Sequence, residues 1–547
     1  MGKLTIANLK KTIYYLKRNG LRNTWNAARE RLASEEHYEP KFFSEEELKY
    51  MRREVAEWFA AATENGRELP LFSILVPAYR TNPIFLKELV ESVGAQVYPK
   101  WELLILDASG EEGLQDTLRE ICDAAKLRFR AAQEIPEGRR VKQDAAQEIP
   151  EGQRVKKDAS QEFEGRGAKE EGPQELSEGQ CAREDGARRP EEAGVVRYVR
   201  LAENAGISEN TNAGLPYAAG DYIGLLDHDD VLTPDALYEM ARAVVGGGSD
   251  MRDAIKEYGK NLENAPLFVY SDEDKWDGGT RYYEVNRKEK FNLDLLLSNN
   301  YICHFLVMKT EFFRSLRLRK EYDGAQDYDL VLRAAAKILK DGEMPEDEIR
   351  YVPKVLYHWR CHEGSTAENP QSKLYAYDAG RRALQDFSDR MGWHAQAEDL
   401  KHLGFYRLRF QGVEGVLEDR RDIGAVGGKI LSGDSIVGGR MAGDGAIYYE
   451  GLREGFSGYL HRGVLTQDAE AVDIRCICVP EECRMFFEQV VGVPYVTKKL
   501  SSGQEIFDAA TLPKDADVKN LSLAFCMVLR DAGRRILWDP ELALKIR

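Results

Sequence analysis

Cysteine is scarce in this 547-residue chain, and its spacing matches no common framework. The eight cysteines are spread over the whole sequence. The densest group, Cys476, Cys478 and Cys483, lacks the paired C-x-x-C spacing of a zinc site. The chain is therefore not a small disulfide-stapled protein, and we expect buried thiols in a reducing compartment.

Long hydrophobic runs are also absent. No apolar stretch approaches the length that is needed to span a bilayer. The first twenty residues do not form a signal peptide, because Lys10, Lys11, Lys17 and Arg18 interrupt the apolar positions. These two observations predict a cytoplasmic protein.

An excess of positive charge is the third missing feature. The formal net charge is −16, so the chain offers no broad basic field to a nucleic acid. The first thirty residues are the exception, since they are basic and aromatic. Two interpretations remain open for them: peripheral contact with the anionic inner face of the cell membrane, or a helix packed on its own domain, which we favour.

Short apolar runs alternate with helical patterns through the first half of the chain. Four runs with the character of buried strands occupy residues 71–79, 101–109, 195–201 and 221–230. Repeated β-α-β units of this kind predict a mostly parallel α/β sheet flanked by helices. At this length two or more domains are expected, and we place boundaries near residues 66 and 400.

The alternation is interrupted between about residues 129 and 194. The segment AAQEIPEGRRVKQD (131–144) is followed at once by the near-identical AAQEIPEGQRVKKD (145–158). Glu, Gln, Gly and basic residues dominate, and apolar residues are too sparse to offset the entropy of the chain. We predict a disordered insertion that contains a tandem repeat.

Carboxylates cluster where the fourth predicted strand ends. Asp227, Asp229 and Asp230 lie almost side by side, and like charges this close raise the pKa of one another. Ligands of open α/β sheets bind beyond the carboxyl ends of the strands. A hard divalent cation, Mn²⁺ or Mg²⁺, would relieve the repulsion and clamp a phosphate there.

Six segments, in order across residues 71–395, resemble the family 2 glycosyltransferases. The resemblance implies a GT-A nucleotide-diphospho-sugar transferase fold, with N-terminal helices over 1–66, the transferase domain over 67–400 and a partial second GT-A-like region over 401–547. More narrowly, it is a resemblance to bacterial cell-envelope polysaccharide enzymes with two such domains in tandem. The matching segments include FSILVPAYRTNPIFLKELVESVGAQVYPKWELLILDAS, LAENAGISENTNAGLPYAAGDYIGLLDHDDVLTPDALYE, VYSDEDK, LLLSNNYICHFLV, GAQDYDLVLRAA and PKVLYHWRCHEGSTA.

The resemblance also assigns roles to single residues. Asp227-His228-Asp229 matches the DxD motif, with Asp229, Asp227 and His358 near the metal, and Asp327 matches the catalytic base. The residues implied in donor binding are Pro77, Ala78, Tyr79, Asp107, Asn204, Ser208, Asn212 and Asp227. Those implied on the acceptor side are Asp272, Asp274, Asn300, His304 and Gln326.

The implied activity is inverting transfer of a sugar from a nucleotide-diphosphate donor to a hydroxyl of a cell-surface glycan or lipid-linked acceptor. The expected cofactor is Mn²⁺ or Mg²⁺. Two alternatives remain: a non-catalytic partner that binds a sugar or nucleotide, and a D-x-D-x-V phosphatase with its nucleophile in Asp227–Val231. The phosphatase alternative requires the D-x-D-x-V motif to follow the first strand of the fold.

The C-terminal region shows signs of lost function. From about residue 422 it resembles the acceptor-side half of a second family 2 domain, without the nucleotide-binding half. Where the family carries acidic residues before the last helix, this chain has Asp517-Val518-Lys519-Asn520-Leu521-Ser522. We predict an inactive remnant that packs, scaffolds or assists acceptor binding.

Overall fold

The computed structural model describes residues 6–33, 38–110, 113–131, 194–246, 251–258, 265–339, 347–362 and 374–546. The predicted insertion lies almost wholly outside these described residues, so its predicted disorder stays a prediction.

Two helices precede the first sheet, α1 (Ile6–Ala33) and α2 (Glu45–Glu64). Ser44 caps α2 as its sequence pattern predicts, because its hydroxyl accepts from Glu47 N while the Glu47 carboxylate accepts from Ser44 N. Helix α1 is interrupted at Gly20, whose φ of 76° belongs to the left-handed region that glycine adopts without strain.

The half of the main sheet formed by β1 to β5 is fully parallel. Its strands lie in the order β3-β4-β2-β1-β5. The short β3 was not expected, because its exposed side chains give no apolar run. The elements are β1 (Phe72–Ala78), α3 (Pro83–Gly94), β2 (Trp101–Asp107), α4 (Gln115–Ala124), β3 (Arg128–Ala131), β4 (Val195–Arg200), α5 (Ile207–Gly214) and β5 (Tyr222–Leu225).

The sheet continues into a mixed half in the order β5-β9-β7-β10-β6, with β8 beside β7. Only β7 and β10 are parallel there. The predicted α/β class is confirmed. The elements are β6 (Val231–Leu232), α6 (Ala236–Val245), α7 (Met251–Glu257), β7 (Phe268–Trp276), β8 (Tyr282–Asn286), α8 (Leu293–Leu296), β9 (Leu306–Lys309), α9 (Thr310–Leu316), α10 (Gln326–Ile338), β10 (Ile349–Arg360) and α11 (Leu374–Arg390).

A second, smaller sheet forms after residue 400. Its central strands β13 and β21 are parallel and separate two apolar clusters. The elements are β11 (Gln396–Asp399), β12 (Tyr406–Arg409), α12 (Gly412–Asp419), β13 (Ile423–Ser432), β14 (Ser435–Gly438), β15 (Arg440–Met441), β16 (Gln467–Asp468), β17 (Ala471–Val472), β18 (Ile477–Cys478), α13 (Glu481–Val491), β19 (Thr497–Lys499), β20 (Glu505–Phe507), α14 (Val518–Asp531) and β21 (Arg535–Ile546).

A buried ionic network joins the two sheets. Arg420 Nη1 donates to Asp294 Oδ1 at 2.7 Å, and Arg535 Nη2 donates to Asp294 Oδ2 at 2.6 Å. Burial alone would raise the pKa of Asp294, but the two guanidinium groups hold it well below its usual range. Because breaking a buried pair leaves an uncompensated charge, this network fixes the C-terminal region against α8.

Helix α1 packs on the C-terminal region. Arg18 Nη2 donates to Leu400 O at 2.9 Å, and Ser457 N donates to the Glu30 carboxylate at 3.0 Å. These contacts favour the packed-helix interpretation for one side of α1. Among the described helices, none is both long and apolar enough to cross a membrane.

Candidate active site

Three strand ends form the edge of the candidate site. Ala78, at the end of β1, pairs in register with Asp107 at the end of β2. Strand β5 lies on the other side of β1, and Asp227 follows its last residue by two positions. The carboxyl ends of adjacent parallel strands thus bring the predicted donor and metal residues to one crevice.

An open cleft of about 430 Å³ lies beside the ends of β1 and β2. Tyr79, the neighbour of the lining residue Arg80, is 43% exposed, while Ala78 is buried and Pro77 is partly buried. Thr117, on α4, is among the lining residues, as are Arg80, Thr81, Pro83, Gly113 and Leu114. The cleft lies where the resemblance places the nucleoside.

Asp107 is buried against the wall of this cleft. Its Oδ2 accepts from Leu114 N at 2.7 Å and from the Tyr198 hydroxyl at 2.9 Å, and its Oδ1 accepts from Ser109 N at 2.9 Å. Asp107 therefore holds the loop after β2 in place. Direct contact between Asp107 and a base stays a prediction.

The three polar residues after β4 differ in their exposure. Asn204 is exposed, and its Oδ1 accepts from Asn210 Nδ2 at 2.9 Å. Ser208 and Asn212 are buried, and their side chains bond to backbone groups of Arg319 and Leu318. They fix α5 to the loop that leads to α10, so their predicted donor contacts have no support in this geometry.

The carboxylates after β5 occupy three different environments. Asp230 is fully buried, and it accepts hydrogen bonds from the Tyr357 hydroxyl and from Arg360 N. Asp229 is partly exposed, and its Oδ2 lies 2.9 Å from His362 Nε2. No described residue makes a hydrogen bond to the carboxylate of Asp227. Asp230 is thus structural, whereas Asp227 and Asp229 are only partly buried.

The electrostatics of Asp227 connect this cluster with α10. Burial raises the pKa of Asp227, His304 opposes the rise, and the negative charges of Asp229 and Asp327 add to it. Residues 227 and 327 are a hundred positions apart, and their spacing could not predict that the charge of one acts on the other.

A divalent cation was predicted at Asp227, Asp229 and His358. Within the described part of the chain, no three His, Cys, Asp or Glu side chains converge as a metal site does. Mg²⁺ is nevertheless often held by one or two carboxylates together with substrate phosphates. Asp227 and Asp229 therefore fit a cation that arrives with a diphosphate, not one in an all-protein cage.

The histidine in contact with the DxD motif is His362 rather than the predicted His358. His358 Nδ1 lies 2.6 Å from Asp274 Oδ1, and its ring meets the Tyr282 ring edge-on. A metal contact from His358 stays a prediction. The H-x-x-x-H spacing in HWRCH is the signal that would have nominated His362.

Asp327, the predicted base, lies in the first turn of α10 and is partly exposed. Its Oδ2 accepts from Asn300 Nδ2 at 2.8 Å and lies 3.5 Å from the Cys303 thiol. No described residue makes a hydrogen bond to its Oδ1. Gln326, the neighbouring predicted residue, accepts from Gly324 N at 2.8 Å and closes the turn before α10.

Asp329 has a different set of partners. It is 1% exposed, and its Oδ2 accepts from Arg333 Nη2 at 2.7 Å, while Arg319 pairs with Oδ1. The two aspartates of the QDYD segment therefore separate into a partly exposed residue and a buried ion-paired one.

The acidic VYSDEDK stretch corrects one expectation. Its sequence predicts a strand followed by an acidic loop, but Asp272 and Asp274 lie within β7 and are buried. They tolerate burial because each has partners: the Tyr351 hydroxyl donates to Asp272 at 2.7 Å, and the Tyr38 hydroxyl donates to Asp274 at 2.7 Å. Their predicted acceptor contact is therefore unsupported.

His304 is the acceptor-side residue closest to the acidic cluster. Its ring stacks on the Tyr357 ring at 4.5 Å, and its charge acts on Asp227. Asn300, four residues earlier, donates a hydrogen bond to Asp327. These two remain candidates for the acceptor side.

Part of the main domain matches a known family. Residues 185–317, which include the DxD motif, match the family model "Glycosyl transferase family 2". The chain therefore carries a family 2 glycosyltransferase domain, as the sequence predicted. The tandem-domain detail stays a prediction.

Three curated relatives are similar over part of their length. An uncharacterized protein of Sinorhizobium fredii, y4gI, is 30% identical over 325 residues, which are 59% of this chain and 26% of that protein. The O-antigen biosynthesis protein RfbC of Myxococcus xanthus is 26% identical over 62% of this chain and 20% of its own. The putative glycosyltransferase EpsH of Bacillus subtilis is 26% identical over 32% of this chain and 47% of its own. The chain thus spans between a fifth and about half of these relatives.

Solved structures give more distant likenesses. Staphylococcus aureus TarS 1–349 in complex with UDP-GlcNAc is 13% identical, with 59% of this chain and 66% of that chain covered and a TM-score of 0.34. Mannosyltransferase PcManGT from Pyrobaculum calidifontis, in complex with GDP-Man and Mn²⁺, is 14% identical, covering 63% and 86% with a TM-score of 0.32. The fold assignment rests on the family match and the sheet topology.

Proposed function

We propose that this chain is an inverting glycosyltransferase that moves a sugar from a nucleotide-diphosphate donor to a hydroxyl of a glycan or lipid-linked glycan. The observation that carries the proposal is that the carboxyl ends of β1, β2 and β5 lie at one edge of the parallel sheet, where the charge of Asp327 also acts on Asp227. The name of RfbC, an O-antigen biosynthesis protein, supports polysaccharide synthesis as the setting.

Asp327 is the residue suited to act as general base. A sugar hydroxyl is a poor nucleophile at neutral pH, so a positioned carboxylate must take its proton as it attacks the anomeric carbon. Asn300 Nδ2 holds Oδ2 of Asp327, which leaves Oδ1 directed to an acceptor. Single displacement on the face opposite the leaving diphosphate would invert the anomeric centre.

Asp227 and Asp229 would hold a divalent cation together with the donor diphosphate. Such a cation supplies Lewis-acid stabilisation of the charge that develops on the leaving group. His362 orients the Asp229 carboxylate through its 2.9 Å contact, and Asp230 anchors the turn to β10. The cleft beside Tyr79 would accommodate the nucleoside.

The proposed division of the chain is a helical region (1–66), a GT-A domain (67–400) and an inactive region (401–547). In the last, Asp517 serves α14 as its N-cap, accepting from Asn520 N at 3.1 Å. The residues that follow, Lys519 and Asn520, cannot act as a carboxylate base. This arrangement supports a remnant without its own chemistry.

Two other functions are less well supported. A non-catalytic binding partner would not need Asp327 beside the DxD motif. A D-x-D-x-V phosphatase would need its motif after the first strand, whereas Asp227 follows β5.

The test of the proposed function is a donor screen. The purified chain is incubated with Mn²⁺ and a panel of UDP-, GDP- and dTDP-linked sugars, and released nucleoside diphosphate is measured. We expect one nucleotide sugar to be consumed well above the rest. The absence of turnover and of calorimetric binding for the whole panel would contradict the proposal.

We also propose that the outward face of α1 binds an anionic lipid surface. Four exposed side chains recur there at helical spacing: Leu21 and Trp25, exposed by 79% and 67%, with Arg22 and Arg29. The opposite face carries Glu30 and packs on the C-terminal region. Basic and aromatic residues on a strongly acidic protein favour anionic headgroups.

A vesicle experiment checks this face. Arg22→Glu/Arg29→Glu should weaken binding to phosphatidylglycerol vesicles by at least about ten-fold, since each basic residue contributes about 1 kcal/mol near such a surface. The matched control, Arg52→Glu/Arg53→Glu, changes exposed arginines on α2 and should bind as wild type does. Equal binding by both variants, or by neutral vesicles, would contradict the proposal.

A further inference from the structure

A cavity of about 150 Å³ lies between the main domain and the C-terminal region. One wall comes from α8 and the turn after it, and the others come from β12, α12 and β21. Six of its lining residues enter the argument: Ser298, Arg407, Phe410, Gln504, Asp539 and Glu541. A cavity of this size admits a molecule as large as a six-membered ring.

Arg407 is the most unusual of these residues. Its side chain is 7% exposed, and its Nε is a buried donor without a hydrogen-bond partner among the described residues. Nη1 likewise lacks a hydrogen-bond partner among the described residues, although it lies in ion-pair contact with Glu541, while Nη2 donates to Val464 O at 3.4 Å. An orphaned buried donor is destabilising and needs an explanation, and a ligand acceptor would supply one.

The side chains that line the cavity include hydrogen-bond donors and acceptors, and their formal charges cancel. Three arginines, Arg407, Arg409 and Arg420, are balanced by three carboxylates, Asp294, Asp539 and Glu541. Asp539 lies 4.0 Å from Arg407 Nη2, too far for a hydrogen bond, and burial raises its pKa. A neutral ligand whose hydroxyls both donate and accept fits this set better than an anion does.

Phe410 adds an apolar surface to the same cavity. Binding pockets typically combine aromatic walls with a few placed polar groups. A sugar ring has this dual character, because its hydroxyls are polar and its C–H face is apolar.

The cavity also lies close in the chain to the partner of the candidate base. Ser298 lines it, and Asn300, two residues later, donates to Asp327. Two residues span at most about 7 Å of chain. A saccharide in the cavity would therefore lie within reach of the crevice where Asp327 would activate an acceptor hydroxyl.

We infer that this cavity is a subsite for a sugar ring of the acceptor glycan, built by the C-terminal region. Arg407 and Gln504 would donate to ring hydroxyls, Asp539 would accept, and Phe410 would cover the apolar face. The identification of the bound sugar as the acceptor rests on the proposed function. The prediction that the cavity binds a sugar does not. The region that has lost its own chemistry would thus extend the substrate site of the main domain.

Saturation-transfer NMR with methyl glucoside, methyl galactoside and methyl rhamnoside, without nucleotide, tests the subsite. We expect at least one glycoside to bind wild type. Arg407→Lys keeps the charge but removes Nε, and Asp539→Asn keeps the shape but removes the carboxylate. Each should weaken glycoside binding by about ten-fold, the scale of one charge-assisted hydrogen bond.

Matched controls are Arg530→Lys and Asp531→Asn, at the exposed end of α14, and both should bind as wild type does. Donor hydrolysis, measured on the same samples, should be unchanged in the two control variants. No glycoside binding by wild type, equal binding by all variants, or binding of inorganic phosphate instead would overturn the subsite. If wild type binds a glycoside but hydrolyses no nucleotide-sugar donor, the result would count against the proposed function alone.

Discussion

Asp327→Asn should lower single-turnover transfer by two to four orders of magnitude, the range that general-base catalysis contributes. The amide keeps the shape of the side chain and can still bond to Asn300, but it cannot take the proton of an acceptor hydroxyl. Donor affinity, measured by calorimetry, should stay within a few-fold of wild type, because the nucleoside cleft and the DxD motif lie on other elements.

The control for this variant has to be chosen from the structure. Asp329→Asn looks suitable from sequence, but Asp329 is buried between Arg319 and Arg333. Disrupting such a group typically costs about 3–5 kcal/mol of stability. We therefore expect Asp329→Asn to lower the melting temperature while its folded fraction still transfers.

Asp253→Asn is the cleaner control, since Asp253 is an exposed residue in the first turn of α7. It should match wild type in both rate and stability. Normal transfer by Asp327→Asn, together with loss of transfer by folded Asp329→Asn, would show that the wrong aspartate has been assigned as base.

Asp229→Ala should lower transfer by at least two orders of magnitude, the scale of losing a principal charge-stabilising group. The reason is the loss of one of the two carboxylates that would hold the cation and, through it, the diphosphate. Calorimetric donor affinity in Mn²⁺ should fall as well, which separates this variant from Asp327→Asn. Full activity in EDTA, or in the variant, would contradict metal dependence.

The double variant Asp229→Ala/Asp327→Asn also tests the C-terminal region. If that region is an inactive remnant, no transfer above background should remain. Residual turnover with a second nucleotide sugar would mean that residues 401–547 carry chemistry of their own.

The parallel half of the fold was predictable because local signals agree there. The runs that form β1 and β2 are mostly apolar, and α3, the helix between them, has an N-cap at Asn82 and buries one face. Strand β3 was missed because its side chains are exposed, and the acidic part of β7 was misassigned because the sequence does not show its partners. Those partners, Tyr38 and Tyr351 among them, come from distant parts of the chain.

The sequence predicted which residues belong to the candidate site better than it predicted the contacts that they make. The DxD segment and Asp327 stand out because they match family motifs, yet their proximity is a property of the folded sheet. The contact of His362 with Asp229 was missed for the same reason, because β10 ends at Arg360 and the chain beyond it turns His362 toward Asp229. Ser208 and Asn212 show the reverse case, in which polar residues of a motif serve packing.

The most direct test of the central claim is the anomeric configuration of the first-formed product. Donor hydrolysis by water in the absence of acceptor, followed by proton NMR before mutarotation, reports whether displacement occurs once or twice. A single displacement assisted by Asp327 predicts a sugar of inverted configuration from wild type and almost none from Asp327→Asn. A product that retains the configuration of the donor would contradict the mechanism.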